Sequence, residues 1–403
     1  MINQIVSDPA DPDVVYAAAR PEGVIKSFDG GKTWVPKRKG ITNLSGYHLV
    51  VDPRNGNILY LGTFGGGIFK SIDGGESWRD KNDGLGNTNI HALTIDPNRT
   101  DRLIVATSTG EIFETRNGAE SWDPLSQGLP RVEGEVIASL IFSAEKNPRL
   151  FLALEGLYVL GEDRIWRPAG AELPAARITS IAFNPGDGSF IAGTKEKGLW
   201  TADSRITGWR PLALPLNHAW IQEILLAPER SGRILVSTIG SGLFEGGESR
   251  EGWKALEGKG VPGKDDVLSL SADRKRPGRI IAGTHNEGIY WSPDGGSQWF
   301  AGQVQQESID QILQSLLEMS PSETPSAPFA PAETPPPSFE KCSRCHGWTD
   351  RRLSARRSYW RVAPNRRDWR ATVVRMGGGA GLTPSEEEEI IGFLNRYTSR
   401  KPP

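Results

Sequence analysis

Ser27-Phe28-Asp29-Gly30-Gly31-Lys32-Thr33-Trp34 reads as a tight turn ahead of a tryptophan, and the run returns along the chain. SIDGGESW (Ser71 to Trp78) and SPDGGSQW (Ser292 to Trp299) repeat it, and TRNGAESW, ending at Trp122, is a weaker copy. The paired glycines allow positive φ in the turn. The aspartate between serine and glycine can accept N–H groups of its own turn. Outward from these copies, tryptophans keep the phase: Trp34, Trp78, Trp122, Trp166, Trp209, Trp253 and Trp299, in steps of 44, 44, 44, 43, 44 and 46 residues. A fixed period of this length marks a repeat architecture.

Two further markers share the step. Asp8-Pro9, Asp52-Pro53 and Asp96-Pro97 each end an apolar run, with Asn184-Pro185 and Ala227-Pro228 as later relics. A glycine opens an apolar-aromatic run at Gly23, Gly67, Gly156, Gly198, Gly242 and Gly288, whereas the third repeat has Glu111. Between the markers lie short alternating runs such as HLVVDP, ILYLGT, GGIFKS and ESWRDK, four strands per repeat. Four strands taken seven times predict an all-β seven-bladed propeller over residues 1–302. Radial closure leaves few open sheet edges.

The S-x-D-x-G-x-[ST]-W pattern resembles the Asp-box, or bacterial neuraminidase (BNR) repeat. The resemblance covers residues 1–302 and implies a hairpin between the third and fourth strands of each blade, with Trp34 packed between blades. The chain is similar to the single propellers of photosystem II stability and assembly factors, which implies a non-catalytic binding role. Asp29, Asp73 and Asp294 are accordingly expected to form turns. Glycoside hydrolysis needs a matched carboxylate pair across one bond, and aspartates on separate blades are too far apart. No arginine triad with a Tyr/Glu pair of the sialidase kind is visible, and xyloglucan-cleaving relatives use two propellers around a cleft. His48, His91, His218 and His285 are scattered, without the local spacing of a metal site.

After Trp299 the β-pattern stops. Ser308-Ile309-Asp310-Gln311 is a capping box, followed by Ile309, Ile312, Leu313, Leu316 and Leu317 at helical spacing. An amphipathic helix, packed on the propeller, is expected within residues 303–319. Residues 320–338, SPSETPSAPFAPAETPPPS, hold seven prolines and no Lys or Arg. Such a stretch favours polyproline II and acts as a linker, spanning up to ~60 Å.

The only two cysteines lie in Cys342-Ser343-Arg344-Cys345-His346. C-x-x-C-H is the attachment motif of haem c. Two thiols one helical turn apart can add to the two vinyl groups of one porphyrin, and His346 then stands under the iron as a ligand. A structural zinc site needs four ligands, and a thioredoxin-like pair belongs in a βαβ context. Downstream, Asp368–Met376 reads as a short helix, Gly377, Gly378 and Gly379 form a loop without side chains, and Thr383-Pro384-Ser385-Glu386 caps a closing helix bearing Ile390, Ile391, Leu394 and Tyr397. This layout resembles the small class I cytochromes c over residues 338–400. The resemblance implies a small all-α cytochrome c domain at 339–403 with Met376 as the sixth iron ligand; the residues alone leave Met376 open to a core-filling role. Only 30 residues separate His346 from Met376, which makes this a minimal cytochrome.

Eight arginines fall within residues 351–370, with Trp360 and Trp369 among them. They suit haem propionates, a positive collar that steers an acidic redox partner, or a solvated basic surface. The whole chain carries 47 Lys and Arg against 49 Asp and Glu, a net charge of −2, which argues against a general nucleic-acid binder. No stretch reaches the ~18 apolar residues of a membrane span. Haem c is attached outside the cytoplasm, so a periplasmic or other extracytoplasmic location is expected. MINQIVSDPADPDVVY has neither a basic n-region nor an apolar h-region, so an extension ahead of Met1 is expected.

The sequence therefore predicts an electron-transfer protein with one covalent haem c. A propeller docks a redox partner protein, with association to a membrane complex as a further expectation. Two other readings stay open: a periplasmic oxidoreductase with substrate in the propeller channel, and a haem-containing assembly or scaffold factor.

Overall fold

The computed structural model describes residues 1–130, 139–174, 176–212, 214, 220–226, 233–247, 252–262, 267–273, 275–276 and 278–305. These form seven sheets, each with four antiparallel strands consecutive in the chain and the first with one strand more, and no helix occurs among them. The first strands of the sheets are Ile2–Ser7, Gly46–Asp52, Ile90–Ile95, Ser139–Phe142, Ile178–Phe183, Trp220–Leu226 and Val267–Ala272. Each touches the first strand of the next sheet, and the last touches the first. The sheets are thus blades of a closed seven-bladed propeller with these strands around the axis.

Strands such as Val15–Ala19 and Gly23–Ser27, second and third in their blade, are buried along their whole length because a neighbouring blade covers each face. Seven apolar clusters fill the seven gaps between blades, and each holds one phased tryptophan. Trp34 packs with Ile25 of its own blade and Ile281 and Ile289 of blade seven, so the first cluster also closes the ring. The step of about 44 residues is therefore the step from one gap to the next.

The expected turns are present. Asp29 Oδ1 accepts from the Ser27 hydroxyl at 2.8 Å and from Thr33 N–H at 2.9 Å, while Oδ2 accepts from the Thr33 hydroxyl at 2.7 Å. Ser27 Oγ accepts from Gly31 N–H at 2.8 Å, and the Trp34 indole donates to Gly31 O at 2.8 Å. Asp73 and Asp294 repeat the arrangement, and Asn117 substitutes in blade three. Blade five keeps a relic in which Asp203 accepts from Arg205 and Thr207. Gly30 and Gly31 have φ of 71° and 95°. Where the motif decays, Ala119, Arg164 and Ile206 hold positive φ instead.

The turns of blades two, three and seven are also clasped by the preceding blade. Lys26 Nζ donates to Gly74 O at 2.8 Å, Lys70 Nζ to Gly118 O at 2.8 Å, and Arg233 Nη2 to Gly295 O at 2.6 Å. The tryptophan N–H groups bind back in the same sense: Trp78 to Lys39 O, Trp122 to Asp83 O and Trp166 to Gln127 O, each at 2.9 Å.

The sequence grouped residues 303 and 304 with a helical segment; they form a short strand instead. Gln303–Val304 lies parallel to Thr33–Trp34 as a fifth strand of blade one. The reason is an open edge: Lys32 O and Trp34 O accept from Gln303 N–H at 2.8 Å and Gln305 N–H at 2.7 Å. The remainder of the expected helix, the linker and the expected cytochrome domain lie outside the described residues. Among the described residues no helix is long and apolar enough to cross a membrane.

Candidate functional site at the channel mouth

The innermost strands share a defect that shapes the axial channel. In blades one, two, three, five, six and seven the ladder between first and second strands skips one residue: Asn3, Tyr47, His91, Thr179, Gln222 and Leu268. A bulge breaks strict alternation. Burial then runs buried, half-exposed, half-exposed, buried, so two successive side chains turn to the axis.

Several of these side chains stitch the ring. Asn3 Nδ2 donates to Gly46 O at 2.6 Å, and Gln4 Oε1 accepts from Leu49 N–H at 2.6 Å. Ser269 Oγ accepts from Ile5 N–H at 2.7 Å across the closure. Thr179 donates to Ile221 O.

Blades one to three carry a different group. Tyr47 stacks on His91, centroids 5.0 Å apart at 19°, and tilts against His48 at 5.6 Å. Phe64 lies 5.8 Å from His91. The Arg20 guanidinium sits 5.0 Å from the Tyr47 ring and 5.6 Å from the Phe64 ring. Arg20 N–H binds Met1 O and Phe64 N–H binds Ser45 O, so both loops sit where the innermost strands begin. At the same end, Lys195 Nζ lies 4.5 Å over the Trp220 ring. One mouth of the channel thus presents two cations, each seated on aromatic faces.

Deeper groups are neutral near pH 7. Burial, and then the nearby His91, push the His48 imidazole down to about 4. Burial pushes the Glu223 carboxyl up to about 8. A neutral wall behind a cationic, aromatic rim suits binding an extended chain with an acidic or carboxylate end.

The sequence treated His48 and His91 as scattered residues. The structure brings them to one tyrosine on adjacent blades. The signal was available: 43 residues separate them, one short of the 44-residue repeat step. His285 is half-buried and away from this group, in blade seven, and His218 lies outside the described residues. Asp29, Asp73 and Asp294 are each engaged by their own turns. No group of three or more His, Cys, Asp or Glu among the described residues could hold a metal ion. Cys342, Cys345, His346 and Met376 lie outside the described residues.

No protein-family model and no curated protein matches the chain. Solved structures match its fold. A GH74 xyloglucanase from Xanthomonas campestris superposes with a TM-score of 0.61 at 16% identity, over 74% of this chain and 54% of that one. The chain therefore spans about half the length of the xyloglucanase. YCF48 from Cyanidioschyzon merolae superposes with a TM-score of 0.53 at 14% identity, over 72% of this chain and 94% of that one. A structure of YCF48 bound to D1 peptide gives 0.55 at 14% identity, over 72% and 92%. At such identities the likeness is one of fold alone.

Proposed function

We propose that this chain is a c-type cytochrome electron-transfer protein whose propeller is a protein-docking platform. The observation that carries the electron-transfer reading is Cys342-Ser343-Arg344-Cys345-His346, set behind a proline-rich stretch in a chain with no other cysteine. The donor set fits haem c chemically: two thiols for thioether bonds to the vinyl groups, the His346 imidazole and the Met376 thioether as iron ligands. A haem so held supplies a one-electron couple, and Met/His ligation raises its potential relative to bis-His ligation. The arginines of residues 351–370 offer guanidinium groups to propionates and a positive field to an acidic partner. The linker keeps the cytochrome domain at high effective concentration beside whatever the propeller holds.

The docking reading is supported by the YCF48-like fold, since one YCF48 structure holds a D1 peptide, and by the channel mouth described above. Arg20 and Lys195 would face a carboxylate while Tyr47, Phe64 and Trp220 line apolar contact. The location would be periplasmic or otherwise extracytoplasmic.

The test is co-expression with haem-c maturation machinery, followed by a pyridine haemochrome spectrum. One haem per chain is expected, lost in Cys342→Ala/Cys345→Ala. Met376→Ala is expected to abolish the far-red sulfur-to-iron band. A chain that leaves such cells without covalent haem overturns the electron-transfer reading and leaves the docking reading standing.

A further inference from the structure

We propose that residues 308–317 cap the rim of the propeller at the junction of blades seven and one, laying their apolar face on Phe300, Val304 and Trp291. The proposal is independent of haem. It begins from what the fold leaves uncovered. The large apolar side chains exposed among the described residues are Phe28, Ile72, Phe300 and Val304. Phe28 already has the Lys26 ammonium 4.6 Å from its ring. Phe300 and Val304, 44% and 43% exposed, fall within the last six described residues.

They belong to one patch. The Phe300 and Trp291 rings stack with centroids 4.9 Å apart. Lys32 joins the two blades: its ammonium lies 5.2 Å from the Trp291 ring, and its carbonyl accepts Gln303 N–H. Val304 pairs with Trp34 in the added strand. Among the described residues that strand is the outermost of blade one and has one edge unpaired. Proteins cover such edges with a helix or loop.

The occupant is set by where the chain goes. Gln305 N–H is pinned to Trp34 O at 2.7 Å, so the described residues end on this rim. Ile309 follows four residues later, within ~14 Å of extended chain. From there Ile309, Ile312, Leu313, Leu316 and Leu317 recur at helical spacing behind the Ser308 cap. An isolated helix this short is marginal in water and needs a surface for its apolar stripe. The nearest uncovered apolar surface along the chain is the one it has just left.

Hydrogen exchange on the full chain tests this. Amides of residues 308–318 are expected to be protected in the native protein. Phe300→Ser and Val304→Ser are each expected to cut that protection at least about tenfold, as loss of a local contact does, while Ile280–Thr284 stays protected. Leu313→Asp, which leaves the propeller's own residues intact, is expected to raise exchange at residues 300–305. Free-peptide exchange of 308–318 in the native protein overturns the proposal. So does protection indifferent to Phe300→Ser and Val304→Ser, or exchange at 300–305 indifferent to Leu313→Asp. Protection that fades on dilution assigns the patch to a second copy and overturns it equally.

Discussion

Asp29 shows how one side chain can hold a blade hairpin. Partial burial pushes its carboxyl up, but the Thr33 N–H and hydroxyl, the Ser27 hydroxyl and the Lys32 N–H outweigh this and hold it below its ordinary value. Its stabilisation is present above the unfolded carboxyl value and is lost as pH falls through the folded one. Asp29→Ala strands four donors and is expected to cost about 2–3 kcal/mol, read as a drop in the urea midpoint. Asn117 already performs the Oδ1 role in blade three. Asp29→Asn is therefore expected to cost about 1 kcal/mol, and equal losses for the two variants would show that charge, not the accepting oxygen, matters.

Two channel residues act in opposite senses. His48 titrates at about 4 folded against 6.5 ordinarily, so the unfolded chain binds more protons between these values and stability rises with pH there. Glu223 titrates at about 8 folded against 4.5, so the folded chain binds more protons and stability falls as pH rises through that window. The slopes cancel where the windows overlap, between 4.5 and 6.5. Above 6.5 Glu223 acts alone and removes about 2 kcal/mol by pH 8. In Glu223→Gln the urea midpoint should hold level from pH 6.5 to 8. In His48→Asn it should fall from pH 4.5 onward. A parallel decline in wild type and Glu223→Gln above pH 6.5 would sink the assignment.

At the scale of elements, the blade joint is the weak point to strike. Gly84 has φ of 85°, and a Cβ there would stand 2.2 Å from the Trp122 carbonyl oxygen of the next blade. Neither backbone can retreat without breaking the Trp122 N–H bond to Asp83 O. Gly84→Ala should cost about 3 kcal/mol or more. Gly198 has φ of 67° with nothing within 4 Å of where an alanine methyl would stand, so Gly198→Ala should cost only about 1 kcal/mol. Similar thermal shifts for both would mean that the joint yields.

The same joints explain what the sequence disclosed. One tryptophan per gap is a packing demand, so the period survives in blades four to six, where the Asp-box decays. Asp-Pro ends innermost strands because the aspartate accepts N–H groups of the following turn, as Asp52 does from Arg54 and Asp96 from Asn98. The channel mouth was not legible, for two reasons. The bulge turns Tyr47 and His48 to the axis together, which alternation forbids. And Arg20 and Phe64 come from loops of different blades, joined only when blades one and two pack side by side. The strand at Gln303–Val304 was hidden because it answers an edge more than 260 residues earlier.

For the whole molecule, charge is divided along the chain. Residues 1–305 hold 33 Lys and Arg against 37 Asp and Glu, residues 306–338 hold five acids and no base, and residues 339–403 hold 14 bases against 7 acids. The near-neutral total of −2 therefore conceals a basic C-terminal region. Electron exchange at short range is governed by the local field within about 10 Å, roughly one Debye length at 0.1 M salt, and not by total charge. Small redox probes separate the two. If the chain carries the proposed haem and the arginine-rich stretch surrounds it, the reduced protein should react fastest with ferricyanide at low ionic strength and slow as salt rises. A tris(phenanthroline)cobalt(III) cation should behave in the opposite sense. Replacing Arg356 and Arg357 by Gln should flatten both salt dependences by weakening the local field. If total charge governed instead, the anion would be the slower probe at low salt and would speed up with it. The sign of one stopped-flow salt series thus decides whether, in the proposed cytochrome, this basic region presents a positive face to a redox partner.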